Sequence, residues 1–240
     1  MNDLEAIEQR RARRSYSDTP VDKNTLDHLS SLIDKYNEEA DLSITLVLDG
    51  SHAFGSFRKS YGMFKNVRSL IALIGKKEDP NLKEKLGYYG ELLVLEATKM
   101  GLGTCWVGGT FDRGSNFVDV KQDEELVCVI PFGNIVQEKT FKEKLIHKIS
   151  HRKTKSIEEL YASDSPVPQW FIDGMNAVQK APSAFHLQPI KFEYKSGEVR
   201  AFVEDPRFLT DLGIAKSHFS LAAGGSFVFG NHGKFQKNHV

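Results

Sequence analysis

Two short patterns occur twice in this 240-residue chain. Thr19-Pro20-Val21 opens a stretch of helical spacing that contains Leu26-Asp27, and Ser165-Pro166-Val167 opens another that contains Ile172-Asp173. Pro20 and Pro166 stand 146 positions apart, as do Asp27 and Asp173. Further on, Leu86-Gly87, Leu95 and Ala97 reappear as Leu212-Gly213, Leu221 and Ala223, each 126 positions later. Self-similarity of this kind predicts an internally duplicated fold whose second copy is 20 residues shorter (146 less 126) between its two helices. Proline caps and leucine-rich helices also recur by chance, which is the alternative to a duplication.

Those elements alternate. Residues 3–14 read as a short arginine-rich helix, and Asp18 to Asp22 as the start of a second helix carrying Leu26, Leu29, Leu32 and Ile33. Ser43–Leu48 reads as a strand closed by Asp49-Gly50, and Ser69–Gly75 as a strand covered on both faces. Asn81–Met100 is the longest helical stretch, and Leu92–Ala97 is apolar on most sides, as a central helix must be. Gly101-Leu102-Gly103 stops it and Thr104–Gly109 follows as a loop. Glu125–Ile130 reads as a strand ended by Pro131-Phe132-Gly133. Residues 168–180 and 208–223 read as helices, residues 181–189 as a loop, and two strands flank Lys195-Ser196-Gly197 before a short final strand. No strand is followed by a glycine-rich dinucleotide loop, which favours an α+β fold over a doubly wound one.

Composition narrows the function. The 32 basic residues balance the 32 acidic ones, which argues against bulk binding to nucleic acid or an acidic membrane. No apolar run approaches the roughly 18 residues of a membrane span, and Met1–Glu5 lacks the basic-then-apolar pattern of a secretory leader. Two cysteines, Cys105 and Cys128, fit a reducing compartment. The expectation is a cytoplasmic globular protein.

Four segments carry chemical potential. Arg10-Arg11-Ala12-Arg13-Arg14-Ser15-Tyr16 concentrates guanidinium groups that bind phosphate bidentately, or else forms a solvated basic face. Gly101–Gly109 lets backbone approach a flat ligand, or is a helix stop beside a buried Trp106. Ala181–Pro189 sets a hydroxyl, an imidazole and an amide on a proline-stiffened loop, suited to the polar edge of a ring system or to joining a helix to a strand. His151–Lys155 is a second cationic knot or a solvated surface. The chain has no H-E-x-x-H, P-loop, G-x-S-x-G or paired C-x-x-C pattern, so metal hydrolysis, nucleotide-triphosphate use and serine-hydrolase chemistry lose support. His147 and His151, four apart, lack a third metal ligand, and the apolar neighbours of Cys105 suit an inert buried thiol.

Together these segments resemble the nitroreductase-like FMN oxidoreductases. Ala6–Tyr16 is similar to the family's opening R-R-S-x-R-x-F/Y, Gly101–Gly109 to its G-L-G-T-C-W-hydrophobic-G, Ser156–Leu160 to its closing L-E-E-hydrophobic stretch, and Ala181–Pro189 to P-S-x-x-N-x-Q-P. The last of these normally lies between the first two; here it follows both. In the family two subunits intertwine and FMN sits between them, touched by the arginine motif of one and the proline loop of the other. The resemblance therefore implies an α+β nitroreductase-like pseudo-dimer in one chain, with residues 1–160 as one half, residues 161–240 as a shorter half, and the two intertwined as one globular unit. One FMN site per chain would survive and its mirror image would be lost.

Carried over, the resemblance implies that Arg10, Arg11, Ala12 and Arg14 hold the phosphate and ribityl chain, with Arg152 and Lys153 adding charge. Pro182, Ser183, Ala184 and His186 would lie against the ring, along with Trp106, Val107, Gly108 and Gly109; Lys65 is a candidate for its polar edge. Ala12 stands where the motif has Ser, and His186 where it has Asn, which removes one hydroxyl and adds a titratable ring. The implied activity is NADH- or NADPH-driven reduction of a small acceptor, a nitroaromatic or a quinone, without nucleic acid or membrane partners and with the chain acting as a pseudo-dimeric monomer. The alternatives are a flavin-binding or sensing protein with little turnover, and a flavin-free interaction protein that uses its basic arm.

Overall fold

The computed structural model describes residues 1–55, 63–135 and 153–238. The chain forms two compact units, each drawn from separated segments: one from Gln9–Asp79 and Leu93–Ile149, the other from Met1–Glu8, Pro80–Leu92 and Ser150–Val240. Among the described residues no helix is long and apolar enough to cross a membrane.

The first unit is built on a four-stranded antiparallel sheet. Its strands are β1 (Thr45–Val47), β2 (Ser69–Lys76), β3 (Leu102–Thr104) and β4 (Glu124–Asn134), in the order β1-β2-β4-β3. Every residue of β2 between its ends is buried, as its unbroken apolar run predicts for a strand covered on both faces. On one side Val47, Leu70, Ala72, Ile74, Val107, Phe111 and Val129 form a core.

Two strand expectations are corrected here. Pro131 does not end β4, which runs on to Asn134 with Pro131 opposite Leu70. Proline lacks only the donor, and its carbonyl is used twice, by the Cys105 N–H (3.2 Å) and the Tyr16 hydroxyl (2.9 Å). Likewise Leu102-Gly103-Thr104 is not just a helix stop, because it pairs with Phe132–Asn134 as β3.

Helix α2 (Lys23–Ala40) starts as its sequence directs: the Asp22 carboxylate accepts from the Thr25 N–H (3.0 Å) and hydroxyl (2.6 Å), and these bonds hold its pKa below the ordinary value. Helix α1 is shorter than expected. It covers Asp3–Gln9, capped by reciprocal bonds between Asn2 and Glu5, and the arginines beyond it run extended.

In the other unit, α4 (Gln169–Gln179) and α5 (Leu209–Ala223) pack on a sheet of β5 (Tyr161–Ser163), β6 (Lys191–Lys195) and β7 (Glu198–Phe202). A hairpin of β8 (Gly225–Phe227) and β9 (Phe235–Lys237) completes it. Phe171, Met175, Phe192, Leu212, Phe219 and Phe235 centre its core. All of α5 from Asp211 to Ser220 is buried, and inside the fold Lys216, Ser217 and His218 find hydrogen-bond partners while Ser220 Oγ has none among the described residues. Lys216 Nζ lies 2.5 Å from Glu84 Oε1 and 3.0 Å from the Gly230 carbonyl, while Glu84 Oε2 accepts the Gly230 N–H (2.9 Å). Burial lowers the pKa of Lys216, an effect opposed by Glu84.

Glu84 belongs to the long helix α3 (Leu82–Lys99), whose residues up to Leu92 fall in this unit. Here α3 meets α5 through two glycines. A Cβ added to Gly87 would overlap the Thr210 carbonyl, and one added to Gly213 would overlap the Glu84 carbonyl. Thr210 is Glu84 displaced by 126 positions, as Gly213 is Gly87, so the two close approaches are reciprocal.

Candidate functional site

In the sheet unit the arginine segment is laid down as an extended strip. The Arg13 N–H donates to the Thr104 carbonyl (2.8 Å), the Lys65 N–H to the Arg14 carbonyl (2.9 Å), and the Tyr16 N–H back to the Lys65 carbonyl (3.1 Å). Backbone pairing beats the helical propensity of the arginines, because these N–H and C=O groups have partners already in place. The approach to β3 is close enough that a Cβ at Gly103 would collide with the Arg13 side chain and with Ile135. Arg10, Arg11, Ala12, Arg14, Lys65 and β3 are thus brought together. Arg11 and Lys65 are exposed, Arg10 and Arg14 half-buried, and Arg13 turns inward to 7% exposure.

Beyond β3 the chain stays paired: Val107 exchanges two 3.0 Å hydrogen bonds with Val129, and Trp106 is half-buried. Gly108 and Gly109 are exposed, and nothing stands within 4 Å of a Cβ built on Gly109. Arg113, absent from the sequence expectations, holds this turn. Its guanidinium donates to the Gly108 carbonyl (3.0 Å), to the Val127 carbonyl (2.9 Å) and to that of Leu126, with its carbon 4.6 Å from the Phe111 ring centre. Cys105 and Cys128 are buried and form no disulfide.

In the helical unit the Pro182–Pro189 loop takes an uncommon path. Phe185, His186 and Gln188 all have positive φ, at 52°, 53° and 45°. Each non-glycine residue in that region costs of order 1–3 kcal/mol, so the loop persists only because its surroundings dictate it. Gln188, 3% exposed, is the hub. Its side chain accepts the Lys155 N–H (2.8 Å) and donates to the Gln179 carbonyl (3.0 Å), and its own N–H donates to the Ser183 hydroxyl oxygen (3.0 Å). Lys155 Nζ donates to the Gln188 carbonyl (2.8 Å), and burial, followed by the nearby Lys191, lowers the Lys155 pKa. His186 Nε2 lies 3.1 Å from the Thr154 hydroxyl, which brings exposed Lys153 beside the loop. Arg152, His147 and His151 lie outside the described residues.

The Ala184 N–H is already committed, 3.2 Å from both carboxylate oxygens of Asp211. Asp211 is 7% exposed, and burial pushes its pKa up to about 6. Neither Asp211 nor Gln179 stood out in the sequence. Asp211 sits on an apolar helix more than twenty positions from the loop, and only the fold connects them. Gln188 was legible only as part of the proline motif.

Comparison with known proteins agrees with this architecture. A family model described as "Putative TM nitroreductase" matches residues 2–223. The crystal structure of a "putative nitroreductase" from Thermotoga maritima MSB8 is 24% identical, with a TM-score of 0.65 over 98% of this chain and 92% of that one. A nitroreductase family protein from Clostridium difficile 630 is 16% identical over 64% of this chain and 94% of that one, with a TM-score of 0.47. A nitroreductase with bound FMN from Bacteroides fragilis NCTC 9343 is 16% identical over 58% and 94%, with a TM-score of 0.45. No curated protein matches the chain. With its family match running through nearly all its length, the chain belongs to this nitroreductase family and has an α+β nitroreductase-like fold.

Proposed function

We propose that the protein is an FMN-dependent oxidoreductase that takes reducing equivalents from NADH or NADPH and passes them to a nitroaromatic or quinone-type acceptor. The observation that carries this reading is the strip at Arg10–Arg14, where backbone pairing with Thr104 and Lys65 gathers several cations along one edge of the sheet unit. That donor set fits a phosphate group, which guanidinium binds bidentately. Arg10, Arg11 and Arg14 would hold the phosphate and ribityl chain alongside Ala12, with Lys153 and Arg152 adding charge and Lys65 serving the polar edge of the ring. The exposed turn after Trp106-Val107 offers Gly108 and Gly109 as backbone that a flat ring can approach closely.

The Pro182–His186 loop supplies a defined set of donors. The N–H groups of Ala184, His186, Leu187 and Gln188 are all engaged within the protein. Those of Ser183 and Phe185 have no partner among the described residues, and the Ser183 hydroxyl keeps its proton to donate. FMN, when bound, supplies acceptance and delivery of a hydride; the chain supplies binding, orientation and electrostatics. His186, standing where the family motif has Asn, can present one ring N–H or, when protonated, a positive charge.

We also infer that the chain is an internally duplicated pseudo-dimer with one surviving FMN site, acting without a partner subunit in the cytoplasm. The reciprocity of Gly87 with Thr210 and of Gly213 with Glu84 supports this, since a two-fold interface makes residue i meet j wherever j meets i.

The test is spectroscopic. Protein loaded with FMN should lose its visible absorbance on anaerobic addition of NADH or NADPH and regain it with menadione. Arg11→Ala and Arg14→Ala should each retain less flavin through desalting. Bound flavin that neither nucleotide bleaches would overturn the oxidoreductase reading.

A further inference from the structure

We propose that Asp211 is a positioning residue, whose buried carboxylate fixes the Pro182–His186 loop by accepting the Ala184 N–H and so sets which of the loop's donors remain for a ligand. Three observations converge. Both oxygens of Asp211 are 3.2 Å from the Ala184 nitrogen, and this N–H is the carboxylate's one hydrogen-bond partner among the described residues. The group is 7% exposed on a helix buried from Asp211 to Ser220, and among the described residues no cation pairs with it. A buried carboxylate with so little compensation costs stability, so its presence calls for a reason beyond packing.

The loop supplies that reason. Phe185 and His186 follow Ala184 directly, and both are held at positive φ, a backbone state that bulky L residues leave unless their neighbours dictate it. Phe185 is 77% exposed, so no burial of its own ring secures the conformation. The Ala184 amide enters the strained turn and is pinned by Asp211. The turn leaves it through Gln188, whose N–H is pinned by Ser183. With both ends fixed, the N–H groups of Ser183 and Phe185 stay outside the internal network.

As a ligand-positioning role this rests on the FMN reading, and the experiment separates the two. Amide hydrogen exchange is followed by NMR in the protein without added flavin, for wild type, Asp211→Ala, Asp211→Leu and Asp211→Asn. FMN affinity is titrated on the same samples. Loss of the charged acceptor in the Ala and Leu variants should speed exchange at Ala184 by about tenfold or more, while amides in the rest of α5 keep their protection. Asn, which retains a carbonyl acceptor, should restore much of that protection. FMN should bind about tenfold more weakly to the Ala and Leu variants and closer to wild type in Asn. Unchanged exchange at Ala184 in Asp211→Ala or Asp211→Leu would overturn the clamp. Faster exchange with unchanged FMN affinity would overturn its positioning role. A wild type that binds no FMN would overturn the flavin reading alone, leaving the exchange result to decide the clamp.

Discussion

Asp211 also makes a prediction about pH. Its carboxyl titrates near 6 in the fold because burial disfavours the charge, against an ordinary value of 3.8. Between those values the folded chain holds a proton that the unfolded chain has lost, so this group's contribution to stability falls as pH rises from about 4 to 6 and is flat beyond. At 1.36 kcal/mol per pH unit the full loss is about 3 kcal/mol. Asp211→Asn removes the titration, so its stability relative to wild type should improve by up to about 3 kcal/mol between pH 4 and 7. Urea unfolding of both proteins across that range measures the difference, and parallel pH profiles would contradict it. The arginine cluster shows how far single residues can be read in advance. Four arginines in five positions mark a cationic site, but the alternation that exposes Arg11 and buries Arg13 comes from pairing with Thr104 and Lys65, which no local pattern displays.

The α3–α5 crossing depends on two glycines. Gly87 and Gly213 each face a backbone carbonyl of the opposite helix, so a methyl group at either position has no flexible side chain to displace and the helices must separate. Gly87→Ala and Gly213→Ala should each destabilise the protein by about 3 kcal/mol or more, at the upper end of overpacking costs. Gly109→Ala, with open space at its Cβ, should stay within about 0.5 kcal/mol of wild type. Thermal or urea unfolding compares the three, and equal effects at Gly109 and Gly213 would refute the close crossing. Most elements were legible because their periodicity is strong: β2, α3, α4, α5 and the hairpin at Ser196-Gly197 fall within a residue or two of their expected bounds. The misreadings share one cause. Pro131 stays within β4 and the arginines leave α1 at Gln9 because distant strands supply backbone partners, and tertiary pairing overrode local propensity in both places.

For the whole molecule, the family and its α+β fold were legible from four short segments and their altered order, and the match over residues 2–223 agrees with them. The paired Leu-Gly steps at Leu86-Gly87 and Leu212-Gly213 were visible in the sequence, and in the fold Gly87 approaches the Thr210 carbonyl as Gly213 approaches that of Glu84. What sequence could not display was the support behind the candidate segments: Arg113 under Gly108, Gln188 tying Gln179 and Lys155 together, and Asp211 behind Ala184. These depend on side chains that meet across long separations or that, like Gln188, gain their partners only in the fold. We propose one flavin site per chain. Its most direct test is the FMN-to-chain ratio and visible spectrum of protein incubated with FMN and then desalted. A single site predicts a flavin spectrum at a ratio of about one, as one bidentate phosphate site per chain requires; a ratio near two, or protein that emerges colourless, would contradict it.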